Sequence, residues 1–311
     1  MGDGVVGAVG VVGLGTMGSA IAGNLLRAGF AVVGHDVAAA RVEQHVAAGG
    51  QAAASSAEVA ARAPVVITSL PSAAALGEVV AGADGLATGL ANEGRRDLVV
   101  VEASTLPIAA KEHARNLLAG QGCTLLDSPL SGTGAQARVG DLVVLGSGDP
   151  AALRRCEPVF RAFARSWYDL GAFGNGSKVK FLANLLVAVH NLAAAEALSL
   201  ARRAGLDLAV VLPVLADGAG TSRMLELRGP LMVTGDYGDA AMRVELWLKD
   251  VGLIGAFARE HGAPTPLFDA AAPFYHAALA QGRGAQDTAC VLAVLEQLSA
   301  AQAQAPAQQE G

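Results

Sequence analysis

The first half of the chain alternates short runs of branched apolar residues with alanine-rich stretches whose apolar positions recur every three or four residues. Residues 8–13, 31–36, 65–70, 98–103, 124–127 and 142–146 predict strands. Residues 17–28, 38–48 and 108–119 predict helices between several of them. Near-continuous apolar strands separated by helices argue for βαβ units and a parallel, doubly wound sheet covered on both faces. Beyond Gly176 only the helical period remains, over 178–204, 208–216, 222–233, 244–261, 267–281 and 287–300. The expected organisation is therefore α/β. A doubly wound domain spans 1–175, an all-helical domain 176–300, and a polar, low-complexity tail 301–311 reads as disordered.

One stretch imitates another kind of element. Residues 4–26 carry no charge and are long enough for a bilayer span or a signal peptide. Seven glycines, from Gly4 to Gly23, interrupt it, and Asp3 rather than a basic residue precedes it. That many glycines would weaken a membrane helix badly. A buried strand, a glycine turn and a helix packed on a sheet explain the same composition.

Composition narrows the class. The 311 residues are 52% hydrophobic and 16% charged, so the chain can bury a large core. Aromatics are only 4%, the net charge is -6 and there is no basic stripe. Nucleic acid is a poor partner for such a surface. The cysteines Cys123, Cys156 and Cys290 lie far apart without a C-x-x-C pair, which argues against a disulfide framework and a structural zinc site. A reducing cytoplasm fits best, with neither metal nor membrane expected.

Gly13-Leu14-Gly15-Thr16-Met17-Gly18 is a G-x-G-x-x-G that follows a predicted strand and opens a predicted helix. The first glycine permits the tight turn, the second lets backbone approach a pyrophosphate, and the third allows close helix–strand packing. The second predicted strand ends at Asp36, about twenty residues on, where an acid can accept from ribose hydroxyls. This is the fingerprint of a Rossmann dinucleotide site. Asp36 is followed by Val37 rather than arginine, which favours NAD over NADP, although Arg41 one helical turn later could still meet a phosphate.

Only four of the 22 basic residues are lysines: Lys111, Lys178, Lys180 and Lys249. Arginine keeps its proton in a protein, whereas a desolvated lysine can lose it. Lys111 reads as an ordinary cation on an exposed helix. Lys180 stands near the start of the first helix beyond the sheet, with Asn184 four residues later on the same face. That spacing suits a catalytic pair, and equally a surface lysine beside a packing amide. Asn191 and His190 read as structural, and Arg223 as solvated.

With these residues in hand, the chain resembles the β-hydroxyacid dehydrogenase family, which includes 3-hydroxyisobutyrate dehydrogenase. Four motifs in the same order carry the likeness over residues 8–298: GLGTMGSAIAGNLLRAG (13–29), DSPLSGTGAQARVG (127–140), GNGSKVKFLAN (174–184) and LKD (248–250). The resemblance implies that Lys180 is the catalytic lysine and Asn184 its partner. It also implies that the loop of Ser131, Gly132 and Thr133 binds a substrate carboxylate. Leu70, Pro71, Ser104 and Thr105 would flank the nicotinamide, and Lys249 would reach cofactor and substrate. Two positions depart from the family pattern. Thr133 replaces a glycine and should narrow the pocket, and Ala183 replaces an amide.

The implied activity is reversible hydride transfer between NAD(P) and a small 3-hydroxyacid. Lys180 would be the general base in oxidation and the acid in reduction. A homodimer or homotetramer is implied by the resemblance and by the apolar helical half. Two other readings stay open. One is an imine or semialdehyde reductase of the same fold, although imine reductases generally lack the lysine. The other is a non-catalytic dinucleotide-binding scaffold, for which loss of the lysine would be expected.

Overall fold

The structure, a computed structural model, describes residues 7–93 and 97–304. The chain divides into two compact units, the first ending at Lys180 and the second beginning at Phe181.

In the first unit, strands β1 (Val9–Val12), β2 (Val32–His35), β3 (Gln51–Ala52), β4 (Val65–Thr68), β5 (Val99–Glu102) and β6 (Thr124–Asp127) form one parallel sheet in the order β3-β2-β1-β4-β5-β6. Helices α1 (Thr16–Arg27), α2 (Ala39–Ala47), α3 (Ser56–Arg62), α4 (Ala73–Ala81), α5 (Leu86–Glu93) and α6 (Ile108–Ala119) connect them. Successive strand residues serve opposite faces. Val9, Val11, Ile67, Val99 and Val101 pack with Ile21 and Leu25 of α1, whereas Val12, Val66 and Val100 pack with Leu76, Val80 and Leu118. Burial on both faces is why these strands are uniformly apolar. The strand order reverses beside β1, so the loops after β1 and β4 diverge there and leave a crevice at the carboxyl ends of the strands.

After β6 the chain builds a smaller sheet from β7 (Leu130–Ser131), β8 (Val143–Gly146) and β9 (Ser166–Asp169), with α7 (Gly134–Arg138) and α8 (Pro150–Phe163) between them. β7 and β8 are antiparallel, and β8 and β9 are parallel. The predicted strand at 142–146 therefore belongs to this second sheet and not to the main one. Strands β3, β7 and β9 escape the sequence pattern for physical reasons. Two of them are two residues long, too short to show a period, and β9 is half-exposed along its length.

The uncharged N-terminal stretch is not one helix. Over its described residues it is β1, a turn at Gly13 and then α1.

Helix α9 (Asn175–Arg203) opens in the first unit and runs on into the second. It is followed by α10 (Leu208–Asp217), α11 (Arg223–Thr234), α12 (Val244–Glu260), α13 (Pro266–Ala280), a 3-10 turn at Thr288–Cys290 and α14 (Val291–Gln304). Asp207 and Ser222 cap α10 and α11 through their side-chain oxygens. No strand occurs among the described residues of the second unit. By length and composition α9 could cross a bilayer. It nonetheless carries the buried Asn191, which donates to Tyr275 Oη at 3.2 Å and to the Thr288 carbonyl at 2.9 Å, as a core helix does. Helix α14 continues four residues past the expected start of the tail, and 305–311 lie outside the described residues.

Candidate active site

The glycine turn after β1 separates two demands. Gly13 has φ +88, and a Cβ there would lie 2.2 Å from the Ser69 carbonyl oxygen. A Cβ at Gly18 would lie 1.8 Å from the Gly13 carbonyl oxygen. The protein's own backbone thus forbids side chains at both. Gly15 differs: its φ of -67 suits any residue, and the nearest atom to a Cβ there is an Arg41 guanidinium nitrogen at 3.8 Å. Among the described residues no other atom comes within 4 Å of that point, and no side chain caps the start of α1. An open cradle of amides at a positive helix end fits a dinucleotide pyrophosphate.

Asp36, just past β2, has a side chain only 4% exposed. Its Oδ2 accepts the Leu14 N–H at 2.7 Å and its Oδ1 accepts the Ala38 N–H at 2.8 Å, so the acid is held against the turn. Arg41 reaches Asp36 Oδ2 at 3.3 Å, which stands a cation between the acid and the Gly15 cradle. Thr16 is exposed, Leu14 is buried, and Met17 is half-buried against the core.

The loops after β4 and β5 are joined, for the Leu70 N–H donates to Ser104 Oγ at 2.8 Å. After β6 the chain passes through Ser131 and Gly132, which has φ +140, to Thr133. Thr133 caps α7. Its Oγ1 accepts the Gln136 N–H at 3.3 Å, while Gln136 Oε1 accepts the Thr133 N–H at 3.0 Å. The Thr133 side chain and amide are therefore committed to the loop's own helix, a role the expected pocket-narrowing position did not foresee. Gly134 lies against Thr16, where a Cβ would come within 2.8 Å of its Cγ2. Asn24 of α1 donates to the Ala137 carbonyl at 2.6 Å. Within the first unit the structure thus brings the Ser131–Gly132–Thr133 loop beside the glycine turn.

Lys180 is half-buried on α9, one turn after the helix begins. That first turn is tied to the end of β6: the Ser177 N–H donates to Asp127 Oδ2 at 2.8 Å and Ser177 Oγ donates to Asp127 Oδ1 at 2.7 Å. The Gly176 N–H donates to Ser147 Oγ at 2.9 Å. A Cβ at Gly176 would lie 2.2 Å from the Leu145 carbonyl oxygen, so the helix start is pressed onto β8.

Lys111 is not on an exposed face but wholly buried, 2.7 Å from Glu102 Oε2 and 2.8 Å from Asp127 Oδ1. Burial alone would push its ammonium down. Glu102 and Asp127 outweigh that and hold it above the ordinary lysine value. A signal for this was present, because Lys111 shares the buried stripe of α6 with Ala114 and Leu118.

In the second unit the buried Asn184 donates through Nδ2 to Asp250 Oδ2 at 2.9 Å. Lys249 Nζ lies 3.5 Å from Asp250 Oδ1. A carboxylate can only accept, so the Asn184 amide is oriented by Asp250 and its Oδ1 points elsewhere. Asp250 lay inside the LKD motif without being singled out. Arg223 pairs with Glu226 on the surface at 2.8 Å. No group of three or more His, Cys, Asp or Glu side chains among the described residues could hold a metal ion.

Comparison with known proteins covers nearly the whole chain. Residues 8–171 match the NAD binding domain of 6-phosphogluconate dehydrogenase, and residues 174–295 match the NAD-binding domain of NADP-dependent 3-hydroxyisobutyrate dehydrogenase. L-threonate dehydrogenase of Cupriavidus necator is 37% identical over 92% of this chain and 95% of its own length. A 3-hydroxyisobutyrate dehydrogenase structure from Salmonella typhimurium superposes with a TM-score of 0.83 at 34% identity, covering 93% of this chain and 99% of that one. An imine reductase from Streptomyces aurantiacus, at 22% identity and a TM-score of 0.63 over 93% of this chain and 99% of its own, shares the fold alone.

Proposed function

The chain belongs to the β-hydroxyacid dehydrogenase family of NAD(P)-dependent oxidoreductases acting on small hydroxyacids. On that footing we propose that Lys180 is its acid–base group and that L-threonate, or a hydroxyacid of similar size, is its substrate. The bound nicotinamide supplies the hydride acceptor in oxidation and the donor in reduction. The Gly13–Gly18 turn would hold the pyrophosphate, Asp36 the adenosine ribose, and Leu70, Pro71 and Thr105 would flank the nicotinamide. Asp36 favours NAD, since its carboxylate repels a 2′-phosphate, and Arg41 beside it offers a charge partner to the pyrophosphate.

The neutral Lys180 amine accepts the proton of the substrate hydroxyl as that C–O bond becomes a carbonyl. In reduction the ammonium returns it. Asn184, its Nδ2 engaged by Asp250, presents Oδ1 as an acceptor that orients the amine or the substrate hydroxyl. Ser131 and the Gly132 amide hold the substrate carboxylate, since the Thr133 amide is engaged by Gln136. Lys249 adds a cation toward cofactor and substrate. Exposed apolar residues on α9 and α10, among them Leu182, Leu186, Val210 and Val214, suit a homodimer or homotetramer. A cytoplasmic location fits an enzyme that draws on the cell's nicotinamide pool.

The observation that supports this reading most is the bond from Ser177 to Asp127. It roots the turn preceding Lys180 at the residue that leads into the Ser131 loop. The test is a panel of L-threonate, 3-hydroxyisobutyrate and other 3-hydroxyacids, each with NAD and with NADP, followed by the absorbance of reduced cofactor. NAD should give the larger kcat/KM. Lys180→Ala should lower kcat by about 100-fold or more while leaving NAD affinity unchanged. Substantial turnover by that variant would remove Lys180 from the mechanism.

A further inference from the structure

The Lys111 ammonium donates to Asp127 Oδ1 at 2.8 Å and to the Ser104 carbonyl at 2.7 Å, and it forms an ion pair with Glu102 Oε2 at 2.7 Å. Asp127 is saturated in turn. Its Oδ1 also accepts Ser177 Oγ, and its Oδ2 accepts the Ser177 N–H at 2.8 Å and Ser147 Oγ at 3.2 Å. Glu102 Oε1 accepts the Ser104 N–H at 3.1 Å. Glu102, Asp127, Ser104, Ser147 and Ser177 are all buried.

Two carboxylates and one ammonium leave a net negative charge inside the protein. The positive end of α9, whose Ser177 N–H points at Asp127, offsets part of it. Apolar residues of similar volume commonly stabilise a core as well as a buried ion cluster does, so stability alone is a weak reason for this one. What the cluster does beyond that is join three segments: the Ser104–Thr105 loop, the end of β6 that leads into the Ser131 loop, and the first turn of α9, three residues before Lys180.

We propose that Lys111 is a positioning residue which, through Asp127 and Ser177, sets the depth and rotation of the first turn of α9 and so the aim of the Lys180 amine. This rests on the reading of Lys180 as the acid–base group. Small errors of aim are expensive, because a misplacement of about 1 Å can cost about 100-fold in rate. Lys111 itself stays protonated throughout the neutral range, being held above the ordinary lysine value by Glu102 and Asp127 against its burial. A change in the pH profile of a variant at Ser177 would therefore report the altered surroundings of Lys180 and not the titration of Lys111.

The experiment uses the full chain and three variants. Ser177→Ala removes one hydroxyl and keeps the backbone bond. Lys111→Met strands two buried carboxylates and can fail to fold, so Lys111→Met/Asp127→Asn accompanies it, leaving Glu102 as the one charge and the cluster at the same net value. Thermal midpoint, kcat, the KM for NAD and for the hydroxyacid, and the pH profile of kcat are measured on each. Ser177→Ala should keep a near-native midpoint and NAD KM, lose about 10-fold in kcat, and shift the pH limb assigned to the acid–base group. The double variant should lose more kcat in the same manner. If Ser177→Ala keeps the native kcat and pH profile, the proposal is overturned, and a drop in thermal midpoint alone marks the cluster as structural. Should the double variant not fold, Ser177→Ala decides. An active Lys180→Ala enzyme would instead sink the underlying reading, so the two failures are distinguishable.

Discussion

Thr133 and Lys111 show how far a residue's neighbours can redirect its meaning. By position in a substrate loop, Thr133 is a side chain added where glycine is usual, and its expected effect is a smaller pocket. In the fold its hydroxyl and amide close a capping box with Gln136. Losing such a cap costs about 1 kcal/mol. Thr133→Ala should therefore lower the unfolding free energy by about that amount. It should also raise the hydroxyacid KM while leaving the NAD KM alone, and Thr133→Ser should restore both. Urea unfolding and steady-state kinetics read the two effects, and an unchanged stability would return Thr133 to a pocket-lining role. Lys111 differs: the stripe it shares with Ala114 and Leu118 marks the buried face of α6, and the carboxylates delivered by β5 and β6 make burial of an ammonium there tolerable.

At the scale of elements, long and strongly patterned segments were legible while short ones were not. The valine runs of β1, β4 and β5 and the capped helices α10 and α11 carry their own signals. Strands β3 and β7 exist because a neighbour offers backbone partners, and two residues show no period. Helix α2 illustrates packing that a sequence pattern cannot express. His45 on α2 is buried with its ring against Gly34 and Gly50, where added Cβ atoms would lie 2.5 Å and 2.1 Å from it. Burial lowers its pKa, outweighing backbone carbonyls that favour the proton. The folded state thus prefers the neutral ring. The stability tied to this preference is present above the unfolded value of about 6.5 and is lost as pH falls through the folded pKa. Each unit of lowering corresponds to about 1.4 kcal/mol. Between about pH 7.5 and pH 5, the thermal midpoint of the native protein should fall further than that of His45→Leu. Equal falls in the two proteins would show that His45 does not contribute.

For the molecule as a whole, the second unit leaves Leu182 and Leu186 on α9, and Val210 and Val214 on α10, more than half exposed. Pairs of large apolar side chains four residues apart form continuous helical stripes, and grouped apolar exposure commonly marks an association surface. Light scattering coupled to size exclusion should give a mass that is a multiple of the single chain's, falling to the single-chain value in Val210→Asp/Val214→Asp. A native mass equal to one chain would show that this face has no self-partner.

Local chemistry by itself determined the alternation of strands and helices, the switch to an all-helical second half, and the glycine turn with its acid about twenty residues on. These features are written in residue type and period, and they need no distant partner to be read. Tertiary structure alone decided where charges are buried and what holds them. Lys111 meets Glu102 and Asp127, Asp250 turns the Asn184 amide, and Arg41 folds onto Asp36. The physical reason is that desolvation and hydrogen-bond saturation belong to sets of atoms gathered from separate segments. No single stretch of chain records that gathering.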